Sequence, residues 1–190
     1  MIISHKFKLI FIHVYKNAGS YISVLLKILD KNSIRIDGHI EAKLAKFKYP
    51  NIWNEYTTFC VVRNSWDWQI SLFHYMKYTT HHYQYHIVKN MNVNDYLLWR
   101  KNDLHQQLDF IMDHDGKKII DYIIPFDNLN ENLVDFFKKI YKINISKILP
   151  PKKINYSKRN SNYRSYYNNF TKKLVQEMHL PDIEYFGFTF

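Results

Sequence analysis

The chain has 190 residues, 46% of them hydrophobic and 23% charged, which suits a single domain spanning 1–190 with a core of its own and excludes wholesale disorder. A single cysteine, Cys60, excludes an internal disulfide and a thiolate metal cluster. The formal net charge of +10 predicts attraction to polyanions without choosing among a multiply phosphorylated nucleotide, an acidic polysaccharide and nucleic acid.

Lys8 to Val14 is short, apolar and β-branched, and predicts a buried strand. Lys16-Asn17-Ala18-Gly19-Ser20 follows as a loop, and the apolar spacing of Tyr21 to Leu29 predicts a helix. Ser33 to Gly38 reads as a short strand ending in a turn, and Ile40 to Phe47 as a helix stopped by Pro50. Thr57 to Val62 is a second apolar strand ending at Arg63, with a helix from Trp66 to Tyr78, so strand, loop and helix recur in the same order. Residues 79–93, rich in His, Tyr and Asn, lack a period and read as a mobile, substrate-facing insertion. Helices are expected at Asn94 to Arg100 and Asn130 to Tyr141, with a strand at Lys118 to Pro125 between them. A polar basic loop, Pro150 to Asn162, precedes a helix at Asn168 to His179, and the aromatic tail Phe186, Phe188 and Phe190 is expected in the core. Alternating strands and helices predict an α/β fold, P-loop-like and three-layered, with a central, mainly parallel sheet flanked by helices and ligands beyond the strands' carboxyl ends.

Two loops at such ends carry chemistry. A loop that opens a helix offers backbone N–H groups and the positive end of the helix dipole to an anion. Lys16-Asn17-Ala18-Gly19-Ser20 adds a cation, a glycine that permits close approach and a hydroxyl, although no glycine lies five residues before the lysine as a Walker loop requires. Arg63 at the next strand end, with Ser71 eight residues on, supplies a guanidinium and a hydroxyl suited to a second phosphate.

Phe11 to Ser20 resembles the 5′-phosphosulfate loop of sulfotransferases that use 3′-phosphoadenosine-5′-phosphosulfate (PAPS), in particular the carbohydrate-type, family 2-like branch. Val61-Val62-Arg63-Asn64-Ser65-Trp66-Asp67 with Ser71 is similar to that family's 3′-phosphate motif. Gln107 to Phe110, Phe126 to Leu129 and Asp182 to Phe188 extend the resemblance over nearly the whole chain. Tyr15, Asn17 and Tyr21 stand where the family has proline, threonine and serine. The resemblance implies transfer of a sulfuryl group from PAPS to an acceptor hydroxyl or amine, with a carbohydrate favoured and no metal. Lys16 would neutralise charge on the bridging oxygen of the leaving group, and Asn17, Ala18, Gly19, Ser20 and Tyr21 would complete the phosphosulfate loop. Arg63 and Ser71 would hold the 3′-phosphate, and Arg159, in the basic run Lys152, Lys153, Lys158 and Arg159, would contact it as well.

A base is needed to take the acceptor's proton. His39 suits this by its ordinary pKa, with Glu41 as the alternative. His13 is expected to cap its strand or border the pocket, and His74 to pack on its helix. His81, His82 and His86 lack a carboxylate or thiol at ligand spacing, so no metal is expected there. A P-loop nucleotide kinase would call for a Walker loop, and a nucleic-acid-binding module for cations interleaved with aromatics along one surface. Both alternatives fit less well, nucleic acid is not expected as a partner, and a family fold without activity remains a further reading. With no leader-like start at Met1 to Lys6 and no run of about 18 apolar residues, no membrane segment and a cytoplasmic location are expected.

Overall fold

A computed structural model describes residues 1–151 and 159–190. In chain order the elements are β1 (Ile2–Ser4), β2 (Leu9–Ile12), α1 (Gly19–Leu29), β3 (Ile34–Arg35), α2 (Ala42–Lys48), α3 (Pro50–Glu55), β4 (Thr57–Val62), α4 (Ser65–Tyr78), α5 (Tyr85–Val88), α6 (Val93–Arg100), β5 (Tyr122–Pro125), α7 (Leu129–Tyr141), α8 (Asn169–Met178) and α9 (Leu180–Phe186). The chain divides into two compact units, of the described residues one holding 1–63 and 107–151, the other 64–106 and 159–190.

The first unit is α/β, with a five-stranded sheet in the order β3-β1-β2-β4-β5. The sheet is mixed, which corrects the expectation of a mainly parallel one. β2–β4 and β4–β5 run parallel, whereas β1 is antiparallel to both β2 and β3. The cause lies in Ile2–Ser4, a run too short for its period to show. It returns into β2 through His5 to Lys8, and a connection of that length permits only an antiparallel partner. Lys8 makes the tight return with φ 45°.

β2 is buried along its whole length and β4 from Thr58 onward, as parallel strands in the middle of a sheet are. Phe11, Phe59 and Tyr122 lie side by side in register, and Leu9, Val61 and Ile124 share that side of the sheet. Onto it pack Ile22, Leu25 and Leu26 of α1 and Leu133, Phe136 and Phe137 of α7. Each such fully buried side chain contributes roughly 1.5–3 kcal/mol, so this layer fixes where β2 and β4 end. Pro50, expected to stop a helix, also starts one: it stands in the first turn of α3, where its missing N–H costs nothing.

In the second unit, Asn64 caps α4 by accepting from the Trp66 N–H at 3.1 Å. Most of α4 is buried, and its buried Gln69 is met by polar partners. Tyr96 Oη donates to Gln69 Oε1 at 3.0 Å, Gln69 Nε2 lies 2.8 Å from His179 Nε2, and His179 Nδ1 lies 3.1 Å from Gln106 Oε1. α8 opens with a capping box in which Asn168 and Thr171 exchange hydrogen bonds. Residues 79–93 include α5 and are anchored by buried Gln84 and Val88. Phe186, Phe188 and Phe190 are half-buried, not core, because their rings pack on only part of their surface, Phe186 tilted against Phe188 at 5.3 Å. Phe190 stands edge-on to Trp66, Tyr163 and Tyr167. Among the described residues no helix is long and apolar enough to cross a membrane.

Candidate functional site

The first unit brings the Lys16 loop, His13, His39 and Arg63 together. β2 ends at Ile12 and α1 begins at Gly19, and between them Lys16 (φ 63°) and Ala18 (φ 58°) adopt left-handed conformations that Asn17 does not. Such conformations cost a non-glycine residue of order 1 kcal/mol each. Left-handed residues in a turn aim neighbouring N–H groups toward one concave side, a shape that suits anions. Ala18 is the N-cap residue of α1 and has no side chain to cap with, and no acidic residue stands in the first turn. The positive end of this helix is thus neither capped nor neutralised by its own side chains.

The loop residues divide by direction. Asn17 is fully buried; its backbone N–H donates to the Val14 carbonyl, and its Nδ2 donates to the Val61 carbonyl at 2.9 Å and to Gln107 Oε1 at 2.7 Å. Tyr21 is buried too and donates to Asn130 Oδ1 at 2.7 Å, with burial raising its pKa. Both side chains shape the loop from within. Lys16, Ala18 and Ser20 remain partly accessible.

Gly19 is required for space. A Cβ there would lie 1.6 Å from His13 Nε2, so the imidazole occupies the room a side chain would take. His13 stacks on Phe11, and burial, with His39 and nearby cations adding to it, pushes its pKa down to about 2. Its ring therefore stays neutral. His39 lies against it, ring centroids 4.2 Å apart, with Tyr15 edge-on at 6.0 Å. His39 Nδ1 is 2.9 Å from the His13 carbonyl. Because a carbonyl only accepts, Nδ1 carries the proton and Nε2 the lone pair. Burial of the ring's inner side lowers the His39 pKa against the raising effect of that bond, while the residue as a whole stays solvent-accessible. Asp37 (φ 52°) and Gly38 (φ 46°) make the left-handed turn that delivers it. Glu41, the alternative base, pairs with Lys43 at 2.9 Å.

Arg63 follows β4, the parallel neighbour of β2. Its guanidinium donates to the Lys16 carbonyl at 3.0 Å and stacks 4.1 Å from the Phe126 ring centre. Gln107 holds the Arg63 backbone on both sides: Oε1 accepts from its N–H at 2.9 Å, and Nε2 donates to its carbonyl at 2.8 Å. One buried amide thus ties the two loops together. The spacing of motifs revealed Lys16, Gly19 and Arg63, but not Gln107 or His13 as the parts that hold them. The only signal for Gln107 was its place in a short matching segment, without a role.

Ser71 and Arg159 belong to the second unit. Ser71 is buried on α4, and Arg159 forms an ion pair with Asp67 at 2.6 Å. Lys152, Lys153 and Lys158 lie outside the described residues. His74 is buried on α4 as expected, packed among Phe73, Tyr78 and Tyr166, and neither ring nitrogen has a hydrogen-bond partner among the described residues. His82 stacks on Tyr83 and accepts from the Gln84 N–H. Among the described residues no three His, Cys, Asp or Glu side chains group as a metal site. Cys60 is buried, which raises its thiol pKa well above the ordinary value.

No family model, no curated protein and no solved structure matches the chain.

Proposed function

We propose that this chain is a PAPS-dependent sulfotransferase. The observation that carries the reading is the uncapped start of α1, where the left-handed Lys16 and Ala18 loop meets Arg63 from the neighbouring parallel strand end. Such a site favours a nucleotide's terminal anionic group over a neutral ligand. The finer expectation of a P-loop-like fold with three layers belongs to the same reading, supported by the β2–loop–α1 unit.

The residues fit the chemistry. Lys16 provides the cation for the oxygen that bridges sulfur and the 5′-phosphate as that bond breaks, and the loop N–H groups orient the phosphate. His39, neutral with its lone pair on Nε2, takes the proton of the acceptor hydroxyl. Arg63 adds charge beside the loop, and Gln107 holds it in place. Ser71 and Arg159 enter as 3′-phosphate ligands on the sequence resemblance, and so does the preference for a carbohydrate acceptor.

Calorimetry with 3′-phosphoadenosine-5′-phosphate (PAP), the desulfated product, tests the reading: binding at micromolar concentration is expected, and no heat of binding removes it. Arg63→Ala should weaken PAP by roughly 1.5–3 kcal/mol, a charge-assisted contact.

A further inference from the structure

Asp67, Ser71 and His74 follow one another on α4 at spacings of four and three, so they share one face of that helix, and all three are buried. In the second unit, residues 159–167 pack on this face. Arg159 pairs with Asp67 at 2.6 Å. The Tyr166 ring stands edge-on to His74 with centroids 5.1 Å apart, and its hydroxyl accepts from the Asn160 N–H at 2.8 Å. Tyr167 donates to the Trp66 carbonyl at 2.7 Å.

Among the described residues, Nη1 of Arg159 and both ring nitrogens of His74 have no hydrogen-bond partner. The Arg159 side chain is 9% exposed and His74 7%, so both are largely withdrawn from water. His179 of the same unit, equally enclosed, has a glutamine amide at each ring nitrogen. An unpaired buried polar atom costs free energy that a bound partner restores. Arg159 lies close enough to His74 for its charge to add to burial in lowering the imidazole pKa. Lys77, the other cation acting on that ring, is turned to the Met91 carbonyl at 2.6 Å. The guanidinium has only donors to offer, the imidazole and the Ser71 hydroxyl can each add one, and the Asp67 carboxylate already accepts from Arg159. A surplus of donors suits an anion with several acceptor oxygens better than a neutral group.

We propose that His74 is a specificity-determining residue, whose ring donates to the nucleotide's 3′-phosphate beside Ser71 and Arg159 and so favours a 3′-phosphate over a 3′-hydroxyl. The inference rests on the sulfotransferase reading above, which brings Ser71 and Arg159 to that phosphate by sequence resemblance alone. Asp67 holds the Arg159 guanidinium by one arm and leaves Nη1 for the ligand. Tyr166 holds the imidazole by its edge. Both donors are thus positioned before the nucleotide arrives.

Calorimetry on the full chain compares PAP with adenosine 5′-phosphate (AMP), which differs from it only in lacking the 3′-phosphate. His74→Phe keeps a ring against Tyr78 and Tyr166 and removes both nitrogens. It should weaken PAP tenfold or more and leave AMP unchanged, with a melting temperature no lower than wild type, because no hydrogen bond of the ring is lost. In the wild-type chain, the ring-nitrogen NMR signals of His74 should move on adding PAP and stay in place with AMP, a readout that needs no variant to fold. Absence of PAP binding removes the sulfotransferase reading and this inference with it. With PAP bound, an unchanged ratio of PAP to AMP affinity in His74→Phe, equal weakening of both nucleotides, or His74 signals that ignore PAP overturns this inference alone.

Discussion

His179 and His39 are both imidazoles whose pKa burial lowers, and they differ in what their hydrogen bonds leave over. In the second unit, His179 is completely buried with both ring nitrogens in contact with glutamine amides, and Tyr96 extends the chain of bonds. Every polar atom of that ring is satisfied, and the network locks α4 to α6 and α8. In the first unit, His39 spends only Nδ1 on the His13 carbonyl and keeps its ring at the surface. A satisfied buried network holds architecture together, whereas a ring fixed at one nitrogen and accessible at the other has a proton acceptor left for chemistry.

Three measurements sharpen that contrast. The largest effect is expected at His39: His39→Ala should lower kcat by about 10²–10⁴, the usual worth of a positioned base, while PAP binding and thermal stability stay near wild type. A fall in stability with unchanged kcat would make His39 resemble His179. Next comes Gln107→Leu. It strands the Arg63 N–H, the Arg63 carbonyl and one Asn17 contact in a buried place, and should cost about 2–5 kcal/mol in urea unfolding.

The smallest effect is a pH dependence. His179, pushed down to about 3 by burial and then by Arg100, and His13, at about 2, are neutral in the fold and titrate near 6.5 when unfolded. At these two rings the unfolded chain therefore binds more protons below that value, so the stability they contribute is complete above about pH 6.5 and falls as pH drops toward 3. Between pH 6.5 and 5 each ring should cost up to about 2 kcal/mol, at roughly 1.4 kcal/mol per pH unit. In His179→Gln the slope in this window should fall, with His13, His39 and His74, whose pKa values burial also lowers, supplying the remainder.

The sequence carried the two strand–loop–helix units, and with them Lys16, Gly19 and Arg63, because continuous apolar runs and the residues that follow them are local signals. β1 escaped, since three residues show no period, and without it the antiparallel half of the sheet was illegible. α9 escaped for a similar reason: Pro181 in its first turn reads locally as a break. Gly19 was expected to permit close approach of a ligand, and it gives that room to His13. The left-handed φ values of the loop fall on Lys16 and Ala18, which no propensity would choose.

What the sequence by itself determined is an α/β chain with a lysine loop and an arginine placed at strand ends. Its order of short-range patterns leaves little freedom there. The tertiary structure decided that β2 and β4 are parallel neighbours, so that Arg63 reaches the Lys16 carbonyl. It also decided that Gln107 clasps both loops and that the His13 carbonyl fixes the tautomer of His39. These contacts join residues 26 to 90 positions apart. They depend on packing and on the need to satisfy buried polar atoms, neither of which any local stretch of sequence expresses.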